Sequence, residues 1–211
     1  MRVVTNTAIS LDGRIATARF DHVAIGSPTD RRYMSVLRAR ADAVLVGGQT
    51  FRNWPLPLVP DPEALATLRR EEFFDVETPE IENRRWWNVV VTRSPAPGGD
   101  LHPRFFGDAR VRPLFISGEL SIPTILADLA ERGVQTLLLE CGGDLLAQFL
   151  ASGVVDEMYV TLCPLVLGGK GAPSLADGSG FPFSEAPRLE LLHSVVVDSE
   201  IYLRYRVRHV S

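Results

Sequence analysis

The chain has 211 residues, 45% apolar and 23% charged, with a net charge of −4. These are ordinary globular proportions, long enough to bury a substantial core as one domain over residues 1–211. The balance excludes the basic footprint of a nucleic-acid or anionic-membrane binder, and no apolar run approaches a membrane span. Arg2 to Ser10 is β-rich and predicts the first strand. It runs into Ser10-Leu11-Asp12-Gly13-Arg14-Ile15-Ala16. Asp-Gly there marks a tight turn, while Asp12 and Arg14 read equally well as side chains projecting from a strand end into a cleft. Ser27 as N-cap and Pro28 at the first helical position open a helix. It turns Tyr33, Met34 and Leu37 inward, with Val36 beside them, and sends Arg31, Arg32, Arg38 and Arg40 mostly outward.

Ala43 to Gly48 reads as a second buried strand ending on paired glycines, followed by Gln49-Thr50. Four prolines make residues 54–62 an irregular loop. Glu63 to Phe74 has helical composition, Asp75 to Arg85 reads as a surface excursion, Trp86 to Thr92 as a strand and Pro95 to Arg104 as loop. Val111 to Ile116 predicts a strand. Ser121 to Arg132 predicts a helix with Ile122, Ile125, Leu126 and Leu129 at core spacing.

The chain is organised around Leu137-Leu138-Leu139-Glu140-Cys141-Gly142-Gly143-Asp144-Leu145-Leu146. Three leucines bounded by turn residues predict a short strand buried on both faces, as in a parallel sheet. Glu140 stands at its end, and the glycines turn the backbone into a helix beginning near Asp144. Ligands of open α/β sheets bind beyond the carboxyl ends of strands, and a helix N-terminus suits a phosphate. A carboxylate for substrate and glycines for a nucleotide phosphate therefore make a candidate site. A plain tight turn fits the same residues, and the three-glycine dinucleotide fingerprint is absent.

Val154 to Leu162 is β-rich, and it is more apolar through Leu167 than a single exposed edge should be. Lys170 stands among glycines without the Walker A spacing. Arg188 to Val197 and Ile201 to Val207 predict a closing antiparallel hairpin. The four histidines, His22, His102, His193 and His209, form no ligand set, and Cys141 and Cys163 lack metal-ligand spacing. With no secretory pattern over Met1 to Asn6, a cytoplasmic protein with reduced, buried thiols and no metal is expected. The fold class is α/β, a mostly parallel mixed sheet with helices on both faces and a C-terminal antiparallel hairpin.

Four stretches together carry a resemblance: residues 10–16, residues 37–50, Glu140-Cys141-Gly142-Gly143, and Val155-Asp156-Glu157 leading to Pro164 through Gly169. In order and spacing they resemble the C-terminal reductase domain of bacterial riboflavin-biosynthesis proteins (the RibD C-terminal domain), over nearly the whole chain. The resemblance implies a dihydrofolate-reductase-like fold, a homodimer, and NADPH as hydride donor to a small heterocyclic substrate. It assigns cofactor contacts to Ala8, Thr50, Thr92, Arg93, Gly142, Gly143, Asp144 and Leu145. It assigns the substrate pocket and catalytic positions to Asp12, Arg14, Arg38 and Glu140.

The implied reaction is that of 5-amino-6-(5-phosphoribosylamino)uracil reductase, in which a ribosylamino group becomes ribitylamino. Two departures bear on it. The family often has lysine where Arg14 stands, and an arginine cannot donate a proton at neutral pH. No arginine closely follows Arg52 in Phe51 to Val59, where the family carries one for the substrate phosphate. Glu140, if buried beside the substrate ring, would have a raised pKa and handle protons. Reduction of a dihydropterin, and nucleotide binding without turnover, are the alternative readings.

Overall fold

The computed structural model describes residues 1–19, 24–67, 80–93, 102–118 and 121–208. The distal part of the 63–74 segment, the start of the 75–85 excursion, most of the 95–104 loop, His22 and His209 lie outside these residues. Among the described residues the elements follow in chain order: β1 (Arg2–Ser10), α1 (Pro28–Arg40), β2 (Ala43–Gly47), α2 (Gly48–Asn53), α3 (Pro62–Ala66), β3 (Trp86–Thr92), α4 (Pro103–Gly107), β4 (Val111–Ser117), α5 (Ile122–Glu131), β5 (Thr136–Leu139), α6 (Gly143–Ala151), β6 (Glu157–Cys163), β7 (Arg188–Val197) and β8 (Glu200–Arg208).

The strands form one sheet in the order β4-β3-β2-β5-β1-β6-β8-β7. The first six are parallel, and β8 joins β6 antiparallel, with β7 outside it. This is the mostly parallel α/β sheet with an antiparallel C-terminal pair that the strand patterning predicts, and it agrees with the dihydrofolate-reductase-like fold that the resemblance implies. Val3, Leu137 and Leu139 face α5 and α6, meeting Ile125, Leu129, Leu146 and Phe149. Val4, Val44, Val46 and Leu138 face the other way, onto Tyr33 and Leu37 of α1, Phe51 of α2 and Phe105 of α4. Helices therefore cover both faces, which is why the central strands read as continuous apolar runs rather than alternating ones. No helix among the described residues is long and apolar enough to cross a membrane.

The elements begin where their caps dictate. The Ser27 hydroxyl accepts from the Thr29 and Asp30 amides, and the Ser121 hydroxyl accepts from the Thr124 amide. The β7–β8 turn puts Asp198 in the left-handed region (φ 53°), which aspartate tolerates.

Several sequence expectations need correction. Met34 is only half-buried, and Ser35 and Ala39 join Tyr33, Val36 and Leu37 on the buried α1 face. Arg38 turns inward instead of outward, its side chain 13% exposed. Strand β6 starts at Glu157, after the Val154 expected, because the Asp156 carboxylate accepts from the Val3 amide (2.7 Å) at the foot of β1. The apolarity of 154–167 is no sign of an exposed edge, since β6 lies inside the sheet between β1 and β8. Helices α2 and α4 were not anticipated.

Candidate active site

The parallel strands β3, β2, β5, β1 and β6 end at one edge of the sheet, and there the candidate residues gather. Glu140 follows β5 directly and donates its amide to the Leu45 carbonyl (2.9 Å), which ties the end of β5 to β2. Its carboxylate accepts from Arg38 through two parallel bonds, Nε to Oε1 (2.8 Å) and Nη2 to Oε2 (2.6 Å). Both side chains are mostly buried, 13% and 11% exposed. Arg38 is held from behind, its carbonyl accepting from the Trp86 indole (2.9 Å). This fork-to-fork geometry fixes the carboxylate plane, and each oxygen keeps a lone pair for a further donor.

Leu145 brings the two glycine corners side by side. A side chain at Gly47 would come within 3.7 Å of Leu145 Cδ2, so the β2 corner and the first turn of α6 are neighbours. Within each pair the glycines serve different needs. A Cβ at Gly48 would fall 2.5 Å from the Thr92 hydroxyl oxygen, and one at Gly143 would fall 2.3 Å from the Ser174 carbonyl oxygen. Those two glycines are required by packing. At Gly142 a Cβ would meet nothing within 4 Å, and its φ of −71° suits any residue. The corner it makes, the N-cap of α6 without a side-chain cap, is open to the outside.

The other positions fall around this corner. Thr50 lies half-buried in α2, Thr92 ends β3 at 9% exposure, and Arg93 is exposed just beyond it. Asp144 is exposed in the first turn of α6, where the helix dipole favours its charge. Ala8 lies near the end of β1, in register with Thr161 of β6.

Asp12 and Arg14 are placed differently. Asp12 accepts from the Ser10 hydroxyl (2.6 Å) and from the Leu167 and Gly168 amides (3.0 and 2.7 Å). The Ser10 bond first, and the Leu167 amide next, hold its pKa down at about 2. Arg14 donates from Nη1 to the Ala172 carbonyl (2.7 Å) and forms a backbone bridge with Ser174. The same loop closes on Gly143, whose carbonyl accepts from the Asp177 amide (3.1 Å). The β1 turn is thus laced through residues 167–177 to the glycine corner, and Asp12 and Arg14 are engaged in that lacing.

A residue that sequence reasoning missed is Asp30, in the first turn of α1 and 9% exposed. Burial above all raises its pKa to about 6, with Glu200 and Glu140 adding to the shift. The Thr161 hydroxyl beside it and Arg31 oppose that shift. The Thr161 hydroxyl and Asp30 carboxyl are close enough to interact but short of full hydrogen-bond geometry, and Asn6 Oδ1 has no hydrogen bond among the described residues. Glu200, 5% exposed, accepts from the Ser27 amide (2.8 Å), the Ser27 hydroxyl (2.6 Å) and the Tyr202 hydroxyl. The available signal was spacing, since Asp30, Tyr33 and Leu37 share one helix face. An acidic residue in a first helical turn is ordinary enough to mask it.

A shallow concavity of about 540 Å³ bounded by Met1, Val3, Leu126 and Val154 lies at the opposite end of the sheet. Its one carboxylate, Asp156, is already bonded to Val3, so the chemistry-bearing groups gather at the other edge. No group of His, Cys, Asp or Glu among the described residues could hold a metal ion.

The protein is similar to several known ones. The 2,5-diamino-6-ribosylamino-4(3H)-pyrimidinone 5′-phosphate reductase of Methanothermobacter thermautotrophicus is 28% identical over 225 residues, 98% of each chain. The riboflavin biosynthesis protein RibD of Escherichia coli is 29% identical over 206 residues, 83% of this chain and 54% of that protein. Among solved structures, RibD of Acinetobacter baumannii superposes with a TM-score of 0.76 at 22% identity, over 98% of this chain and 58% of that one. Dihydrofolate reductase of Enterococcus faecalis superposes at 0.58 with 15% identity, over 98% and 96%. The RibD C-terminal domain pattern matches residues 1–203. The chain belongs to the RibD C-terminal domain family.

Proposed function

We propose that this protein is an NADPH-dependent reductase of the ribosylaminopyrimidine phosphate of riboflavin biosynthesis. The observation that carries the reading is the Arg38–Glu140 pair at the end of β5, one residue from Cys141 and the open Gly142 corner. Relatives named as pyrimidinone phosphate reductases support it along nearly their whole length. A dihydrofolate reductase of the same fold, solved with NADP(H), supports the nicotinamide cofactor.

The residues present fit such a cofactor. Gly142 leaves room for a pyrophosphate against the first turn of α6, and the exposed Arg93 guanidinium suits an adenosine 2′-phosphate. Thr50, Leu145, Asp144 and the end of β1 at Ala8 would border it. When bound, the reduced nicotinamide supplies hydride to C1′ of the open-chain imine. Glu140, fixed by Arg38, offers its remaining lone pairs to ring and amino N–H groups and so orients the pyrimidine. The lacing by Asp12 and Arg14 keeps the loop at 167–177 seated against Gly143.

The test is NADPH oxidation with 5-amino-6-(5-phosphoribosylamino)uracil, its 2,5-diaminopyrimidinone counterpart and dihydrofolate in parallel. Turnover is expected with a ribosylaminopyrimidine, and Glu140→Gln should bind NADPH as the wild type does while losing most of that turnover. Oxidation with dihydrofolate alone would assign a pterin substrate. Cofactor binding without oxidation under any condition would leave a nucleotide-binding module.

A further inference from the structure

Resting on the reductase reading, we propose that Asp30 is the acid that delivers the proton to the imine nitrogen as C1′ takes the hydride. The groups that the sequence put forward are otherwise committed. Both Glu140 oxygens accept from Arg38. Asp12 is held ionised by three donors. Arg14 stays charged and donates to the Ala172 carbonyl. The Cys141 and Cys163 thiols are pushed up to about 12 by burial.

Asp30 stands where a donor is needed. Helix α1 covers the face of the sheet that carries Val4 and Tyr159, and strand alternation puts Asn6, Ala8 and Thr161 on that same face. Ala8 and Thr161 are cross-strand partners, and Thr161 lies beside the Asp30 carboxyl. Glu140 leaves β5 at the same edge and is close enough to act on the Asp30 charge. The Thr161 hydroxyl adjoins the Asp30 carboxyl, but oxygens of Asn6, Thr161 and Asp30 are buried there without a hydrogen bond of full geometry among the described residues, so water or a polar ligand group would be well received. The approach of the preceding loop is tailored to it, since a side chain at Gly26 would strike Asp30 Oδ2 at 2.1 Å.

The surroundings keep a proton on this carboxyl. Glu200 and Tyr202 from β8, Cys163 from β6 and Glu140 from the end of β5 face it, and Arg31 on its own helix acts in the opposite sense. Its pKa of about 6 is close to working pH, where a general acid is most effective. The step balances: the C1′=N bond becomes C1′–N as hydride adds to carbon. The nitrogen takes the Asp30 proton, the carboxylate is left behind, and water at its exposed margin restores the proton.

The experiment joins a titration of the free full-length protein with single-turnover kinetics. By NMR of carboxyl-labelled aspartate, one resonance is expected to titrate near pH 6 and to be missing from Asp30→Asn. A wild-type spectrum with every aspartate titrating below about 4.5 overturns the proposal. With NADPH and the pyrimidine substrate, the wild-type rate should fall as pH rises through about 6. Asp30→Asn should lose about 100-fold at pH 6 and flatten that limb, with NADPH affinity unchanged.

Thr161→Val leaves the carboxyl in place but removes a group that favours its charge, so the limb should move to higher pH. A limb unmoved in both variants, or wild-type rates in Asp30→Asn, overturns the proposal. No turnover in wild type, with a normal titration near 6, refutes the reductase reading instead and takes this step with it.

Discussion

Asp30 and Glu140 are two carboxylates at the same edge of one sheet, both largely buried, and their surroundings drive them apart. Glu140 meets a guanidinium in bidentate geometry. Asp30 meets two other carboxylates and a hydroxyl, and burial raises its pKa to about 6. One accepts two hydrogen bonds from a cation, while the other is the acid proposed to carry a proton. Pairs of acids with diverging environments are how one site divides binding from acid–base work.

Removing Arg38 should erase the difference. Arg38→Ala strands the Glu140 carboxylate without its cation, and breaking a buried pair from one side costs about 3–5 kcal/mol. We expect a loss of that size in urea unfolding, loss of turnover, and a second carboxyl titrating above the usual range. A stability within about 1 kcal/mol of wild type would show that water already shields the pair.

The second contrast is in the pH dependence of stability. Between about pH 4 and 6 the native protein keeps a proton on Asp30 that the unfolded chain releases, so stability falls as pH rises through that window. A shift from 3.8 to about 6 corresponds to about 3 kcal/mol of destabilisation above pH 6. Asp30→Asn should match wild type near pH 4 and exceed it by about 3 kcal/mol at pH 8, read by denaturant titration at both values. Parallel curves would place Asp30 in contact with water. Asp12 has the opposite sign, since its depressed pKa adds stability that is lost as pH falls from about 4 through 2. The two windows do not overlap.

Much of the frame was legible because central strands of a parallel sheet must be apolar on both sides. Val44 to Val46, Val89 to Val91 and Leu137 to Leu139 announce themselves, and Ser27 and Ser121 mark their helices. Helices α2 and α4 have six and five residues, too few for a period to show. Arg38 misled because a helical period fixes where Cα points, while a long side chain can swing under its own helix to reach Glu140. Asp12 could not be resolved from a turn, since the amides it holds, Leu167 and Gly168, are some 155 residues away in sequence. Asp30 needed its neighbours from β6 and β8 before its burial meant anything.

The glycine corner allows the finest comparison, because adjacent residues of one type answer to different causes. Gly143 is squeezed against the Ser174 carbonyl and the Asp177 carboxylate, at 2.3 and 2.6 Å from an added Cβ. Gly143→Ala must push backbone aside, and overpacking of that kind costs about 1–3 kcal/mol. Gly142 has ordinary φ and open space around it, so Gly142→Ala should melt with the wild type. Its methyl group would instead project into the space proposed for a pyrophosphate at the first turn of α6. We expect NADPH binding, followed by fluorescence titration, to weaken about tenfold in Gly142→Ala, equivalent to about 1.4 kcal/mol. Gly143→Ala should lose stability first and affinity only as the corner distorts. Unaltered NADPH affinity in Gly142→Ala would move the pyrophosphate away from this corner, leaving Gly142 explained by neither packing nor ligand.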